Sequence, residues 1–420
     1  MVGVERIDGG PRSAIVVGAG IVGLSTAWFL QDRGVEVTVV DRTGVAAGAS
    51  SGNAGWIAPG LAVPLNSPGV LRRGLRALRN PTAPLHIPLT ADIGGRVFLS
   101  QFLAHSQRSS WKRTMRANVA LNEDCMEAFD VLISNGVDAP ITETPITAVF
   151  RSTDDAEHMA RQLSEFEKAG QPMDVTGLSG EALREQVPMA SLAVTAGLNI
   201  NGQRFIDSRS FVEALGRSVL DRGATMRRLE IRDVSSSGSG VTVYSRHNVL
   251  SADAAVIATG ARLSQLAGRW LRVPVQAGHG YSFTVPVDRP ILTPIYLPDI
   301  RVACTPHNSA MQVSGTMEFH HPHRAVIPQR VEAIIASAGP LLDGVRWDER
   351  RNVWVGAHPV TPDGRALIGE VSPSVYVAGG HGMWGLTDGP VTGRLLAEQI
   401  TTGKQPQALH EFDPLRRTGH

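Results

Sequence analysis

The sequence is poor in cysteine and has no long apolar run. Cys125 and Cys304 are the two cysteines in 420 residues, too few for a disulfide framework and typical of a reducing compartment. No run approaches the ~18 apolar residues that can cross a bilayer. Residues 1–13 also lack the apolar core of a secretory signal. We therefore expect a cytoplasmic protein.

The chain also lacks an excess of charge of either sign. Its 40 Lys and Arg residues nearly balance its 39 Asp and Glu residues, which gives a net charge of +1. Binding to a phosphate backbone requires a concentrated basic surface, so we expect no nucleic-acid partner. The length allows two domains or one large interleaved pair.

A nucleotide-binding pattern occupies residues 14–41. Residues 14–17 form a short apolar run, typical of a parallel strand buried on both faces, and Gly18-x-Gly20-x-x-Gly23 follows directly. A helical pattern continues to about residue 33, and a second strand pattern ends at Asp41.

Each residue of this pattern has a physical role. The three glycines permit a tight turn, close approach of a pyrophosphate, and close packing of helix on strand. The helix N-terminus binds phosphate, and the acidic residue accepts hydrogen bonds from ribose hydroxyls. The sequence therefore predicts a dinucleotide site.

Three further segments favour contact with a ligand. Residues 49–55 are small and polar, and residues 254–260 form an apolar run that ends in Ala-Thr-Gly. Near the end of the chain, Gly379-Gly380-His381-Gly382-Met383-Trp384-Gly385 precedes a helical pattern at about residues 390–400. A second glycine-rich junction between strand and helix directs another helix N-terminus at the ligand, which favours FAD over a mononucleotide.

The middle of the chain shows mixed patterns. Residues 98–135 have helical spacing that favours two helices, and residues 270–356 alternate in short β-like pieces typical of an antiparallel sheet.

Two groups of basic residues can each be interpreted in two ways. The arginines 72, 73, 76 and 79 fit a solvated helix or a patch for a membrane or an electron acceptor. The histidines 307, 320, 321 and 323 lack metal-ligand spacing, so we expect a polar loop and no metal site.

With these residues in place, the chain resembles the D-amino-acid oxidase family of flavoproteins, and among them bacterial D-amino-acid dehydrogenases of the small-subunit type. The resemblance rests on the first glycine motif and on residues 51–60, 277–284, 314–319, 358–364 and 378–385. It implies an α/β fold with an α+β substrate part: a Rossmann-like FAD domain and a substrate domain with a mixed, mainly antiparallel sheet. The implied FAD domain comprises residues 1–62, 196–268 and 352–420, and the implied substrate domain comprises 63–195 and 269–351.

The resemblance also implies the activity and the site. The expected reaction passes a hydride from the Cα of a D-amino acid to flavin N5, after which water converts the imino acid to a 2-oxo acid and ammonia. The expected catalytic residues are Tyr281, His358, His279 and Trp384. The expected cofactor-binding residues are Gly18, Gly20, Ile21, Val22, Gly23, Asp41, Arg42, Ser50, Ser51, Asn53, Ala54, Gly260, Gly380, Gly382, Met383, Trp384 and Gly385.

Two positions depart from the pattern of the family. Many relatives have an arginine that grips the substrate carboxylate where this chain has His358, and histidine lacks both the fork and an assured charge at pH 7. Another cation could replace it (Arg204, Arg301 or His279), the substrate could lack a free carboxylate, or Tyr281 and His358 could hold the carboxylate by hydrogen bonds. His358 could also be a packing residue.

The second departure is Gly356, which stands where related sarcosine oxidases have a cysteine bonded to the flavin. We therefore expect non-covalent FAD. Alternatives to a D-amino-acid substrate are a cyclic or N-substituted amino acid or amine, or a flavoprotein without turnover. Oxygen or a quinone is the expected electron acceptor, with possible peripheral contact at the inner membrane face.

Overall fold

The computed structural model describes residues 10–69, 85–86, 93–238, 240–319 and 325–417. The arginines 72, 73, 76 and 79 and the histidines 320, 321 and 323 lie outside these residues, so their interpretation stays a prediction. No helix in the described part of the chain combines the length and the apolar character needed to cross a membrane.

The described chain alternates strands and helices. The strands are β1 Ser13–Val17, β2 Glu36–Asp41, β3 Trp56–Ile57, β4 Leu85–His86, β5 Thr142–Glu143, β6 Ile146–Phe150, β7 Val175–Ser179, β8 Ala196–Ile200, β9 Arg204–Phe205, β10 Thr225–Arg228, β11 Ile231–Ser237, β12 Gly240–Ser245, β13 Val249–Ala252, β14 Ala254–Ile257, β15 Gln276–Pro286, β16 Ile295–Leu297, β17 Val302–His307, β18 Ala310–Phe319, β19 Arg351–Val360, β20 Leu367–Ser372 and β21 Val375–Gly379. The helices are α1 Ile21–Asp32, α2 Ile93–His105, α3 Arg108–Asn122, α4 Cys125–Ser134, α5 Thr153–Glu167, α6 Gly180–Gln186, α7 Ser208–Asp221, α8 Leu263–Ala267, α9 Pro328–Ala338 and α10 Gly385–Thr402.

The nucleotide-binding pattern folds as a six-stranded sheet in the order β10-β2-β1-β14-β21-β20. The first five strands are parallel, and β20 pairs antiparallel with β21. Val16 and Val256 contribute to the core on the side of α1, α7 and α10, whereas Ile15 and Ile257 face a core shared with β11 and β12. Burial on both faces explains why the sequence of β1 is continuously apolar.

The second large element is a mainly antiparallel sheet of nine strands in the order β19-β15-β18-β17-β16-β6-β8-β7, with β4 paired to β18. The sequence predicted such a sheet for residues 270–356. The edge strand β19 runs beside the turn at residues 260–262 that follows β14. This edge brings the second sheet to the carboxyl end of the first.

Two local features differ from the predicted pattern. Residues 93–134 form three helices rather than the two expected from 98–135, because the chain leaves the helical path at Gln107 and again at Asp124, without glycine or proline. Helix α10 begins at Gly385, five residues before the predicted start, and contains Pro390. Proline has no N–H, so the helix lacks the hydrogen bond that its sixth residue would donate to the carbonyl oxygen of residue 386.

The predicted domain division is not decided by the strand pairing. Strand β8 begins the predicted segment 196–268, yet it pairs with β6 and β7. Strand β19 opens the segment 352–420, and it pairs with β15. The two sheets therefore exchange strands near these boundaries, and the division into domains stays a prediction.

Candidate active site and cofactor cavity

A cavity of about 570 Å³ lies between the carboxyl ends of β1, β2 and β14 and the edge of β19. Ligands of open α/β sheets bind at this end of the strands. Of the expected site residues, those that line it are Gly18, Gly20, Ile21, Val22, Asp41, Arg42, Ser50, Asn53, Gly260, His358, Gly382, Met383 and Gly385. Those that do not are Gly23, Ser51, Ala54, His279, Tyr281, Gly380 and Trp384.

The first glycine turn is shaped by close packing. Gly18 has φ +119°, and a Cβ there would lie 2.3 Å from the carbonyl oxygen of Ala258. A Cβ on Gly23 would lie 2.0 Å from the carbonyl oxygen of Gly18. Gly20 is different, because its nearest neighbour would be Ser50 Oγ at 3.3 Å. Gly18 and Gly23 therefore hold the turn together, whereas Gly20 keeps the cavity wall flat.

Asp41 stabilises this turn from the end of β2. Its Oδ2 accepts a hydrogen bond from the Ala19 N–H at 3.0 Å. Its Oδ1 accepts from the N–H groups of Thr43 and Gly44 at 2.7 and 2.9 Å. Carboxylate oxygens accept more than one hydrogen bond each, so Asp41 keeps acceptor capacity toward the cavity.

The segment 49–55 covers the N-terminus of α1. Ser50 Oγ accepts from the Ile21 N–H at 3.1 Å, and the Ser208 hydroxyl donates to the Ser50 carbonyl oxygen. Across the cavity, the Thr259 hydroxyl is buried without a hydrogen-bond partner in the described part of the chain. A buried hydroxyl without a partner is costly, which suits a ligand with oxygen atoms at this position.

Charge in the cavity lining comes from three segments of the chain, residues 41–42, 230–232 and 262. The charged residues among its described lining are Asp41, Arg42, Glu230, Arg232 and Arg262. Burial and the neighbouring Arg42 lower the pKa of Arg262, while Glu230 opposes the shift. Residues 354–359 and 381–386 contribute no Asp, Glu, Lys or Arg to the lining, and we call this part of the cavity the uncharged end. The charged segments thus suit a polar nucleotide and the uncharged end an uncharged ring.

His358 lies at the uncharged end, on β19. A Cβ on Gly280 would stand 3.0 Å from His358 Nε2, so the imidazole packs closely against β15 at a residue that has no side chain. Burial first, and then the nearby His279, lower the pKa of His358 to about 4, although a hydrogen bond with the backbone of Gly382 opposes the shift. His358 is therefore neutral at pH 7.

The second glycine junction follows β21. His381 Nε2 and the Thr392 hydroxyl are hydrogen-bonded at 2.9 Å, and burial lowers the pKa of His381 to about 4. Asn53 Nδ2 donates to the Met383 carbonyl oxygen at 3.4 Å. The Trp384 indole N–H donates to the Val63 carbonyl oxygen at 2.9 Å. Trp384 lines a second cavity of about 30 Å³, which shares His381, Gly382 and Met383 with the first.

Tyr281 and His279 lie away from the cavity lining. The Tyr281 hydroxyl donates to Glu318 Oε1 at 2.7 Å, and Arg330 Nε donates to Glu318 Oε2 at 3.1 Å. All three side chains are buried, and Tyr281 belongs to the core that β15 forms with α9. Burial and the bond to Glu318 raise the pKa of Tyr281. His279 is also buried.

The alternative cations also lie elsewhere. Arg204 pairs with Asp130 at 2.5 Å and with Glu143 at 3.7 Å. Arg301 lies in the turn between β16 and β17 with φ +52°. Neither residue lines the cavity. The described residues therefore supply no cation at the uncharged end.

Three side chains at the wall had no signal in the sequence motifs. Trp354 lines the cavity beside Asn53 and Gly356. Thr305 and Gln312 bind the backbone of residues 52–54 from behind: the Thr305 hydroxyl donates to Ala54 O at 2.7 Å, and Gln312 Nε2 donates to Asn53 O at 2.9 Å. They belong to antiparallel strands, where alternation predicts the face of a residue but not its partner.

The residues of this cavity fit FAD. The flat wall at Gly20, the buried Thr259 hydroxyl and the charged segments suit the adenylate and pyrophosphate, and the uncharged end suits the isoalloxazine. Neither cysteine lines the cavity; both are buried, and burial raises the pKa of the Cys304 thiol to about 12 and that of Cys125 as well. This placement favours the expected non-covalent FAD.

Comparison with known proteins extends these observations. A family model described as DAO, FAD dependent oxidoreductase, matches residues 13–399. Glycine oxidase from Geobacillus kaustophilus is 21% identical with a TM-score of 0.73, over 97% of this chain and 99% of that one. Iminodiacetate oxidase from Chelativorans sp. BNC1 is 18% identical with a TM-score of 0.69, over 96% and 99%.

A third solved structure, dithionite-reduced L-α-glycerophosphate oxidase from Mycoplasma pneumoniae, has FAD bound. It is 17% identical with a TM-score of 0.71, over 94% of this chain and 95% of that one. At these identities the three structures establish the expected fold and not the substrate. The closer resemblance to D-amino-acid dehydrogenases stays a prediction.

Proposed function

The chain belongs to the DAO family of FAD-dependent oxidoreductases, and on that premise we propose that it oxidises the carbon–nitrogen bond of an amino acid or amine. The first candidate substrate is a D-amino acid. Its oxidation would give an imino acid, which water converts to a 2-oxo acid and ammonia. Glycine oxidase and iminodiacetate oxidase, two proteins of the same fold, support an amine substrate by their names.

The observation that carries this proposal is the uncharged lining at residues 354–359 and 381–386. Loss of a hydride from a neutral amine requires that its Cα–H be aligned with the acceptor. It does not require a charged base beside the substrate. His358 and His381 are both neutral at pH 7, since burial lowers the pKa of each to about 4. A general acid or base works best with a pKa near 7, so neither histidine is suited to that role.

The chain's own residues orient the reaction. Bound FAD supplies the acceptor for the hydride. Residues 382–385 place the N-terminus of α10 at the uncharged end, where its dipole supports negative charge. His358 is fixed over Gly280 and bonded to the backbone of Gly382, so it holds β19 and this turn in one arrangement.

A second candidate is a cyclic or N-substituted amino acid or amine. A neutral His358 cannot form the bidentate ion pair by which arginine holds a carboxylate. The described residues place no other cation at this end of the cavity. Within the second candidate, this observation favours amines without a free carboxylate.

Anaerobic flavin bleaching distinguishes the candidates. The purified protein is mixed without oxygen with D-amino acids, their L-enantiomers, D-proline analogues, glycine, sarcosine and simple amines. Bleaching of the flavin band by D-amino acids supports the first candidate, and bleaching by cyclic or N-substituted compounds alone supports the second. Protein that takes up FAD but is bleached by none of these compounds would contradict the proposal.

We also propose that oxygen or a quinone reoxidises the flavin. Admission of air after anaerobic reduction gives peroxide if oxygen is the acceptor. Reoxidation only by an added quinone indicates a dehydrogenase, and pelleting with anionic vesicles would then support peripheral membrane contact. A cytoplasmic location stays part of this proposal.

We predict that His358→Ala lowers the rate of flavin reduction or raises KM about tenfold, which corresponds to about 1.4 kcal/mol. The variant removes the ring that links β19 to Gly382. The measurement is stopped-flow flavin reduction with the substrate identified in the panel. His410→Ala, at an exposed position, is the control. Unchanged kinetics in the His358 variant would assign this residue to packing.

A further inference from the structure

The indole of Trp354 lies across two glycines at the wall of the cavity. A Cβ on Gly356 would stand 1.8 Å from its Cη2 atom, and a Cβ on Gly52 would stand 2.3 Å from its Cδ2 and Cε3 atoms. Residue 356 follows Trp354 by two positions on β19, so both side-chain positions lie on the same face of the strand. The ring thus occupies the space in which a side chain at 356 would stand.

Trp354 belongs to the uncharged end of the cavity. It shares the lining with Asn53, His358 and Met383, and Asn53 is bonded to the Met383 carbonyl oxygen. Gln312 Nε2 donates to Asn53 O at 2.9 Å and to Gly52 O at 3.4 Å. The loop beneath the indole is therefore fixed on both sides, and the ring has a rigid support.

We propose that Trp354 is a cofactor-binding residue that contacts the isoalloxazine of FAD and positions it in the cavity. An indole is an electron-rich aromatic ring, and the isoalloxazine is electron-poor, so contact between them is favourable beyond the area that it buries. The indole fills the space in which a side chain at residue 356 would stand. The chain holds its flavin by aromatic contact at that position.

Flavin fluorescence tests this assignment. An indole in contact with an excited flavin donates one electron and then recovers it, which quenches the emission. Holoprotein of the wild type is expected to emit weakly, and Trp354→Phe is expected to emit several-fold more per bound flavin, because phenylalanine is a poor electron donor. Trp347→Phe, a substitution outside the cavity lining, is the matched control and should emit as the wild type does.

Affinity provides a second readout. Loss of an aromatic contact of this kind is expected to raise the FAD Kd of Trp354→Ala about threefold to tenfold. Trp354→Tyr keeps an electron-donating ring, so it should retain most of the quenching and the affinity. Circular dichroism of each variant checks that the fold is retained.

The assignment would be overturned if Trp354→Phe emitted as weakly as the wild type and Trp354→Ala bound FAD with the wild-type Kd. Restored emission in Trp384→Phe but not in Trp354→Phe would also overturn it, because the quenching ring would then lie at residue 384. No substrate is used in these measurements, so their outcome is independent of the proposed amine oxidation.

Discussion

Two buried histidines, His358 and His381, explain how a site for oxidation can be polar and yet uncharged. Each has an exposed fraction below a tenth, and each has a hydrogen-bond partner: the backbone of Gly382 for His358, and Thr392 for His381. Desolvation disfavours the imidazolium. Because both histidines are buried in the neutral form, the free energy of unfolding depends on pH.

We predict that His358 and His381 each reduce the stability of the protein as the pH falls from about 6.5 toward 4. The folded pKa of each histidine is about 4 against an ordinary value of 6.5, so the unfolded chain binds more protons in this window. Each histidine contributes up to about 3 kcal/mol of this loss. His307 and Asp388 act in the opposite sense: a hydrogen bond to Asp207 raises the pKa of His307, and burial raises that of Asp388 to about 7. The effect of the two histidines is therefore read from the difference between variants.

Urea unfolding between pH 7.5 and pH 4.5 measures this effect. His381→Gln should lose less stability than the wild type over this range, and the exposed His410→Gln should follow the wild type. An equal slope for all three proteins would show that His381 does not titrate as described. Asp363 has a pKa of about 2 and stays ionised throughout.

Gly18 and Gly20 of the nucleotide turn are expected to differ in their roles: Gly18 supports both the fold and FAD binding, whereas Gly20 supports FAD binding alone. Gly18→Ala forces a methyl group to within 2.3 Å of Ala258 O at φ +119°, so it should lower both stability, by about 2 kcal/mol or more, and FAD affinity. Gly20→Ala meets only Ser50 Oγ at 3.3 Å. It should fold normally and weaken FAD binding, because its methyl group stands on the cavity wall.

Thermal unfolding without added FAD and titration with FAD separate the two effects. Gly177→Ala has open space around its Cβ and serves as the control. Normal FAD affinity in Gly20→Ala would place the pyrophosphate elsewhere.

At the scale of elements, the loop at residues 51–56 is joined to the nine-stranded sheet by side chains. The Thr305 hydroxyl donates to Ala54 O and accepts from the Trp56 indole N–H at 2.8 Å. Strand β17 thereby fixes the segment that carries Asn53 to the cavity wall. The glycine-rich loop depends on the second sheet for its conformation.

We predict that Thr305→Val destabilises the protein by about 2 kcal/mol, since it leaves the buried Trp56 N–H and Ala54 carbonyl unpaired. Thr305→Ser keeps the hydroxyl and should recover most of this loss. Urea unfolding measures both variants, and equal stability of the two would show that the hydroxyl does not join the loop to the sheet. FAD affinity should fall in the valine variant alone.

At the scale of the whole molecule, ion pairs join the segment 413–416 to the turn that follows β19. Asp363 is buried and accepts from Arg416 Nε and Nη2 at 2.9 and 3.1 Å, and from Arg365 Nη2 at 3.2 Å. Burial alone would raise the pKa of Asp363, but the charges of Arg416 and Arg365 lower it to about 2. The turn after β19 is thus joined to residues 413–416.

We predict that Arg416→Met costs about 3 kcal/mol of unfolding free energy, because it leaves a buried carboxylate with one cation in place of two. The adjacent Arg417→Met, at an exposed position, should be neutral. Chemical denaturation of both variants at pH 7 gives the comparison. Equal stability would show that the C-terminal ion pair does not stabilise the fold.

Local patterns determined much of this protein. The apolar run of β1, the glycine spacing, and the final acid of β2 predicted the first βαβ unit, because a strand buried on both faces and a phosphate turn have short-range signatures. The two glycine junctions likewise predicted a cavity long enough for FAD, the cofactor of the family. Individual site roles, including those of Tyr281 and His279, stay predictions.

Only the tertiary structure decided which side chains meet at the uncharged end. Gly280 gives room for His358, Trp354 covers Gly356, and Thr305 holds Ala54 from 251 residues away. These contacts join positions far apart in the chain, and desolvation by the assembled core makes His358 neutral. Sequence spacing encodes neither, because burial and long-range contact arise only when the two sheets pack against each other.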